Sequence, residues 1–169
     1  MEGSVAWSLI EQEIPQQVRW LLVGAINRAY AISYDLCQEI EWLNWPVGRD
    51  VLGYLRRVAV DFEMKRLVDS NQIPFEYQVA PNAADNCRHL ELKTPRCVIT
   101  ISHVQSRERL PRRAVFRSNL GLSNQLFFDF SGELCAVREG PYYLLLTHGA
   151  SGPTPDFIYL GVPEPGITA

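Results

Sequence analysis

The sequence predicts an α+β protein, with two main N-terminal helices packed on a C-terminal antiparallel β-meander of about six strands. Three observations carry this expectation. Apolar residues recur at three- and four-residue spacing through the first part of the chain. From Phe75 the pattern changes to short apolar runs cut by turn residues. Helices also precede strands instead of alternating with them. At 169 residues the chain fits one domain, a helical layer over 1–72 and a sheet layer over 73–169, large enough to bury a core without staples.

The first helix is read from Val18, Leu21, Leu22, Ala25, Ile26, Ala29, Ile32, Leu36, Ile40 and Leu43, an amphipathic stripe. Pro15 suits its first turn, and "WPVG" at 45–48 breaks it. Asp50 is placed to cap a second helix whose buried face would be Val51, Leu55, Val58 (or Ala59) and Phe62, with "SNQIP" at 70–74 as its stop. "FEYQVA", "RHLELK" and "CVITISHV" read as a meander joined by "PNAADN" and "TP". "ELCAVR" and "YYLLLTH" read as a hairpin across Glu139-Gly140, and "DFIYLGV" as a last strand after "GASGPTP". Trp7, Trp20, Trp42 and Trp45 all lie in the helical part. Aromatics at helical spacing usually fill a core, but Trp42 and Trp45 at a helix end suit a partner anchor.

Composition bounds the function. A net charge of -3 argues against a protein that coats DNA or anionic membrane. Its 14 arginines against 2 lysines favour bidentate, paired or phosphate-facing cations. Cys37, Cys87, Cys97 and Cys135 form no CxxC motif and follow no secretory signal, the pattern of reduced thiols in a cytoplasmic protein. The most apolar run, 21–26, is far short of the roughly 20 residues a membrane span needs.

Glu91-Leu92-Lys93 has the carboxylate–lysine spacing of metal-dependent nucleases of the restriction-endonuclease type. A hairpin turning at Thr94-Pro95 would pair Lys93 with Arg96, Leu92 with Cys97 and Leu90 with Ile99. The apolar residues then share a core face. Glu91 and Lys93 fall with His89 and Cys87 on a polar face expected to meet water. The nuclease alternative needs a second carboxylate for Mg²⁺, and Asp85 is the local candidate. Without it no cofactor is expected. Cys87 and His89, with His103, are the candidate metal ligands, but no second motif-like pair joins them.

The densest charge is "SRERLPRRAVFRSNLGLSNQ", where Arg107, Arg109, Arg112, Arg113 and Arg117 oppose Glu108 alone. Such forks grip phosphate or carboxylate, with Asn119 and Asn124 as neutral donors and acceptors. His148 ends a strand before a flexible loop, and Asp156 opens the next, a candidate acid–base or binding corner. No GxSxG, P-loop or GxGxxG motif is present.

The stretch "LPRRAVFRSN … YYLLLTHGASGPTPDFIYLGVP" resembles small bacterial proteins whose genes accompany helix-turn-helix regulators. The resemblance covers roughly the C-terminal half and rests on strand-and-loop patterns. It implies a member of a two-gene regulatory, toxin–antitoxin or defence module, and no catalytic residue. The chain has no DNA-reading helix pair of its own, so a helix-turn-helix partner would do that reading. The expectation is a cytoplasmic bacterial binding component acting through a protein partner via the Arg107–Arg117 loop. The alternatives are the nuclease (Asp85, Glu91, Lys93) and an RNA- or nucleotide-binding module without catalysis.

Overall fold

Helices come first, as the periodicity predicts: α1 (Val5–Glu13), α2 (Gln16–Glu39), a short α3 (Pro46–Arg49) and α4 (Leu52–Asp69). The computed structural model describes residues 5–124, 127–128, 134–135, 140–150 and 152–163. Strands β1 (Glu76–Pro81), β2 (Arg88–Lys93) and β3 (Cys97–His103) follow. Then come helix α5 (Val115–Leu122), the short strands β4 (Phe127–Phe128) and β5 (Leu134–Cys135), and the long strands β6 (Tyr142–Gly149) and β7 (Phe157–Gly161). The main sheet has five strands in the order β1-β2-β3-β6-β7; β4 and β5 pair separately. The α+β class stands, with five strands in the sheet where about six were expected.

Helix α2 buries Val18, Leu22, Ala25, Ile26, Ala29, Tyr30, Ser33 and Cys37. Its expected stripe fails only toward the end, where Ile32 and Leu36 are exposed. Helix α4 departs much further. Its buried residues are Arg56, Val60, Glu63, Met64 and Leu67, whereas Val51, Val58 and Phe62, expected inside, are exposed. The observed stripe is the expected one moved five residues along, a turn of about 140° around the helix. The cause is polar. Glu63 is 2% exposed and accepts hydrogen bonds from Arg28 Nε of α2 at 3.0 Å and Arg66 Nη1 at 2.7 Å. Burial alone would raise its carboxyl, but those two arginines hold it below the ordinary value. Val51, rather than Asp50, caps α4, and no side chain bonds the cap. The helix stops as expected after Asp69. Asn71 is left-handed at φ 54, and the N–H groups of Asn71 and Gln72 return to Val68 and Leu67.

The β1–β2–β3 meander forms as predicted, but its register differs: Glu91 lies opposite Thr100, Leu92 opposite Ile99 and Lys93 opposite Val98. The slip is two residues, which leaves every side chain on its expected face. The turn holds two more residues because Thr94 N–H bonds Cys97 O while Thr94 Oγ1 accepts from Cys97 N–H. Glu13 of α1 braces this turn, accepting from Thr94 Oγ1 at 2.6 Å and from Arg96 N–H at 3.3 Å.

The expected Glu139-Gly140 hairpin does not form between its proposed strands. Leu134–Cys135 pairs with 127–128, and β6 instead runs parallel to β3, Cys97 opposite Tyr142 through His103 opposite His148. A parallel pair needs a long crossover, and residues 104–141 supply it. Residues 136–139, part of the proposed hairpin, lie outside the described residues. With β1, β2 and β7 antiparallel to their neighbours, β3 and β6 form the sheet's centre.

The core fills the space between α1, α2, α4 and one sheet face, where Leu90, Leu92, Cys97, Ile99, Leu144 and Leu146 are buried. Truncating Met64 or Leu67 to Ala would cost about 2–5 kcal/mol, whereas the exposed Lys65–Asp69 pair, screened by water, contributes little. The core, rather than surface charge, sets stability. The opposite face is also covered: Val98, Thr100, Ser102, Tyr143 and Leu145 are buried. The expected wet face is therefore wrong at its centre.

Gly149 marks a close approach of β6 to its neighbours. A Cβ there would strike Val104 O and lie 2.7 Å from Phe157 Cζ, with backbone on one side unable to yield. Gly149→Ala is expected to cost about 3 kcal/mol by chemical denaturation, whereas alanine at Gly152, which nothing crowds, should be close to neutral.

Candidate functional site: an arginine-lined cleft

The cover on the second sheet face comes from the segment read as an arginine loop. Part of it is helix α5, and Phe116 at its start stacks on His89 with ring centroids 3.7 Å apart. Arg117 lies against the sheet, donating from Nη1 to Ser102 Oγ at 3.1 Å and from Nη2 to Arg112 O. Asn124 clips the end of the segment to β6. Its amide donates to Tyr143 O at 2.9 Å and Pro163 O at 3.0 Å and accepts from Tyr143 N–H at 2.9 Å. Asn124 and Arg117 thus hold the loop down.

A cleft of about 890 Å³ opens between this segment, the first half of α4 and the ends of β2 and β3. Arg57, Arg109, Arg112 and Arg117 line it with His89, His103 and Cys87; among the described residues Asp50 is its one acidic residue. Among the described residues no carboxylate forms an ion pair with any of these four arginines. Arg109 reaches Gln105 and Arg57 reaches Arg88 O, both neutral acceptors. Burial, and to a smaller degree the Arg57 charge, works against the Arg117 cation. An anion entering the cleft relieves that repulsion. His89 Nδ1, His103 Nε2 and Arg117 Nε, all on cleft residues, are buried without a hydrogen-bond partner among the described residues.

Behind His103, on the helix side of the sheet, lies a polar cluster that sequence reasoning missed as a unit. His148 is fully buried, its Nδ1 2.8 Å from the Tyr30 hydroxyl. Its ring centroid is 5.6 Å from that of His103. Arg56, 4% exposed, lies 4.8 Å over the Tyr30 ring and donates to Ala150 O at 2.9 Å and to Gly152 O. Burial, then His103 and Arg56, pushes His148 down to about 3. Burial, helped by Asp156 and opposed by Arg56, pushes Tyr30 up to about 12. Tyr30 therefore keeps its proton at neutral pH and can donate it to a neutral His148. His103 is also lowered, by burial and then Arg56. Spacing gives no hint of this cluster, because its members are brought together by the parallel β3–β6 pair and by the buried rotation of α4.

The other candidates separate. Glu91 is held by His89 Nε2 at 3.2 Å and Lys93 Nζ at 4.0 Å, with Glu91 and His89 only 14% and 11% exposed. Asp85 sits in the exposed β1–β2 turn at φ 50, with Arg88 at 3.8 Å. Three strand residues, about 10 Å, separate that turn from Glu91. The structure does not bring the Asp85–Glu91–Lys93 set together. Cys87 bonds Arg88 O, and His89 bonds Glu91 through Nε2 while its ring stacks on Phe116. Among the described residues no three of His, Cys, Asp and Glu gather as a metal site would need. Arg107 donates to Asp156 O at 3.2 Å, bridging to the β6–β7 loop; Arg113 and Asn119 are exposed. His148 is buried in the cluster, whereas Asp156 stays exposed and reaches the cluster through its charge on Tyr30. Among the described residues no helix is long and apolar enough to cross a membrane. No protein-family model, curated protein or solved structure matches the chain.

The depressed His148 gives a signed prediction. Below its ordinary value of 6.5 the unfolded chain takes up a proton that the folded chain refuses until about 3. Stability from this group is full above 6.5 and is lost as pH falls through that window, by up to about 1.4 kcal/mol per pH unit. His148→Gln should be less stable at pH 7.5 by about 1–3 kcal/mol, through the lost Tyr30 bond. It should also show a shallower decline between pH 7 and 5 in urea titrations. Equal slopes would show that His148 does not resist protonation.

Proposed function

We propose that this chain is a binding component, working in the reducing cytoplasm, that acts on a protein partner by gripping an anionic segment in the arginine-lined cleft. The observation that carries this is the set Arg57, Arg109, Arg112 and Arg117 around one cleft, without an ion-paired carboxylate among the described residues. Guanidinium forks at a shared concavity bind carboxylate or phosphate bidentately, and unneutralised like charges raise the gain from an incoming anion. Among the described residues Cys37 and Cys87 form no disulfide, which supports a reducing compartment. The roles within the cleft differ. Arg109 and Arg112 are exposed and supply capture; Arg117 is half-buried and doubles as a tie to the sheet.

An Arg109→Glu, Arg112→Glu double variant should lose a partner that co-purifies stoichiometrically with the wild type. Its melting temperature should stay within about 2 °C, as for surface substitutions generally. Arg117→Met should lower the melting temperature as well. Binding should weaken as salt rises, since the contacts are charge-driven. Co-purified nucleic acid released by salt, seen in the 260/280 nm absorbance ratio, would move the anion from a protein carboxylate to a phosphate. Retained binding by the double variant would overturn the cleft as the site.

A further inference from the structure

The rotation that buries Arg56 and Glu63 leaves α4 with a second apolar stripe facing outward. Val51, Tyr54, Val58 and Phe62 follow one another at helical spacing, with Tyr54 61% and Phe62 57% exposed. Tyr54, Val58 and Phe62 flank a recess of about 600 Å³ whose other wall is formed by Val79 of β1 and Leu90 of β2. This recess adjoins the arginine cleft: Tyr54, Arg57, Cys87 and His89 line both. The geometry points to a single docking surface, groove and cleft together, for an acidic amphipathic helix of a protein partner, an inference that rests on the anion-gripping role of the cleft.

Length and charge select that occupant. The stripe from Val51 to Phe62 spans about 16 Å, three turns of helix. A helix laid along it would present apolar side chains at matching spacing to Tyr54, Val58, Phe62 and Val79. Its acidic flank would meet Arg57, Lys65 and Arg88 at the groove and Arg109 and Arg112 in the cleft. The acids on these linings are Asp50, Asp61 and Asp85, and Asp85 already faces Arg88 at 3.8 Å. The surface is therefore cationic on a chain whose net charge is -3, so an acidic partner is attracted here and repelled elsewhere. A nucleic acid would use the arginines but leave Val58, Phe62 and Val79 in water. A helix uses both.

The test is selection from a displayed library of peptides of about 16 residues, long enough for four helical turns. The folded full chain is the bait, and selected peptides are re-measured by fluorescence anisotropy. Enriched sequences should carry leucine-like residues at i, i+3 or i+4, and i+7 beside glutamate or aspartate. Phe62→Asp and the Arg109→Glu, Arg112→Glu pair should each weaken them by at least about tenfold. Val58→Ser, a milder change on the same stripe, serves if Phe62→Asp alters the circular dichroism of the free protein. Acidic binders indifferent to both Phe62→Asp and Val58→Ser would overturn the groove while leaving the cleft reading intact. Binders that need Phe62 but ignore the arginine pair would overturn both. No enrichment, or a short RNA that competes more tightly than any peptide, overturns the helix proposal. So does a concentration-dependent dimer abolished by Phe62→Asp, since a second copy would then be the occupant.

Discussion

The buried guanidinium of Arg56 is the contact on which the rest of the structure depends. It stands over the Tyr30 ring of α2, donates to two carbonyls of the β6–β7 loop, and contributes to keeping His103 and His148 neutral. A cation so deeply placed is tolerated only because carbonyl dipoles and an aromatic face replace its water. Replacing it with a shorter apolar residue would strand two carbonyls and uncover the face of the Tyr30 ring, a cost that burying a methylene or two cannot offset. Arg56 and Glu63, seven residues apart and so on the same side of α4, fix the rotation of that helix. Once the rotation is fixed, the remaining apolar residues have only the outside to occupy.

That single rotation explains both surfaces proposed to function. It turns Arg57 toward the ends of β2 and β3, where it meets the arginines of the α5 segment. It also lays Tyr54, Val58 and Phe62 along the β1–β2 flank. Asp61 lies between, pushed up to about 7 by burial in this apolar recess despite the nearby Arg57 charge. Near neutral pH it is only partly ionised, so it neutralises less of the groove than its count suggests.

The sequence made the gross architecture legible because it is written in periodicity. The α2 stripe, the switch of period at Phe75, the Asn71 stop and the Thr94-Pro95 turn all survive in the structure, the register slipping by an even number. The rotation of α4 was not legible. Val51, Leu55, Val58 and Phe62 make a better hydrophobic stripe than Val60, Met64 and Leu67 do, and only long-range partners such as Arg28 and Gly152 reveal why the second stripe wins. The parallel β3–β6 pair was hidden for a related reason: alternation identifies strands but not the neighbour a strand finds across a crossover. In the candidate site the arginine cluster could be read from local density. The convergence of Arg57, His89 and His103 with it could not, since they come from three separate elements.

The sign of the cleft follows from where the carboxylates went. Glu63 is taken by Arg28 and Arg66, Glu91 by His89 and Lys93, and Glu13 by the Thr94–Arg96 turn. Each is a largely covered acid committed to holding one element against another. Arg57, Arg109 and Arg117 rest instead on neutral oxygens, which orient a guanidinium without cancelling its charge. An overall acidic chain can therefore present a cationic concavity without any excess of basic residues. Those three acids are spent inside as structure, and the cleft keeps arginines that no carboxylate ion-pairs among the described residues, where an external anion can complete them.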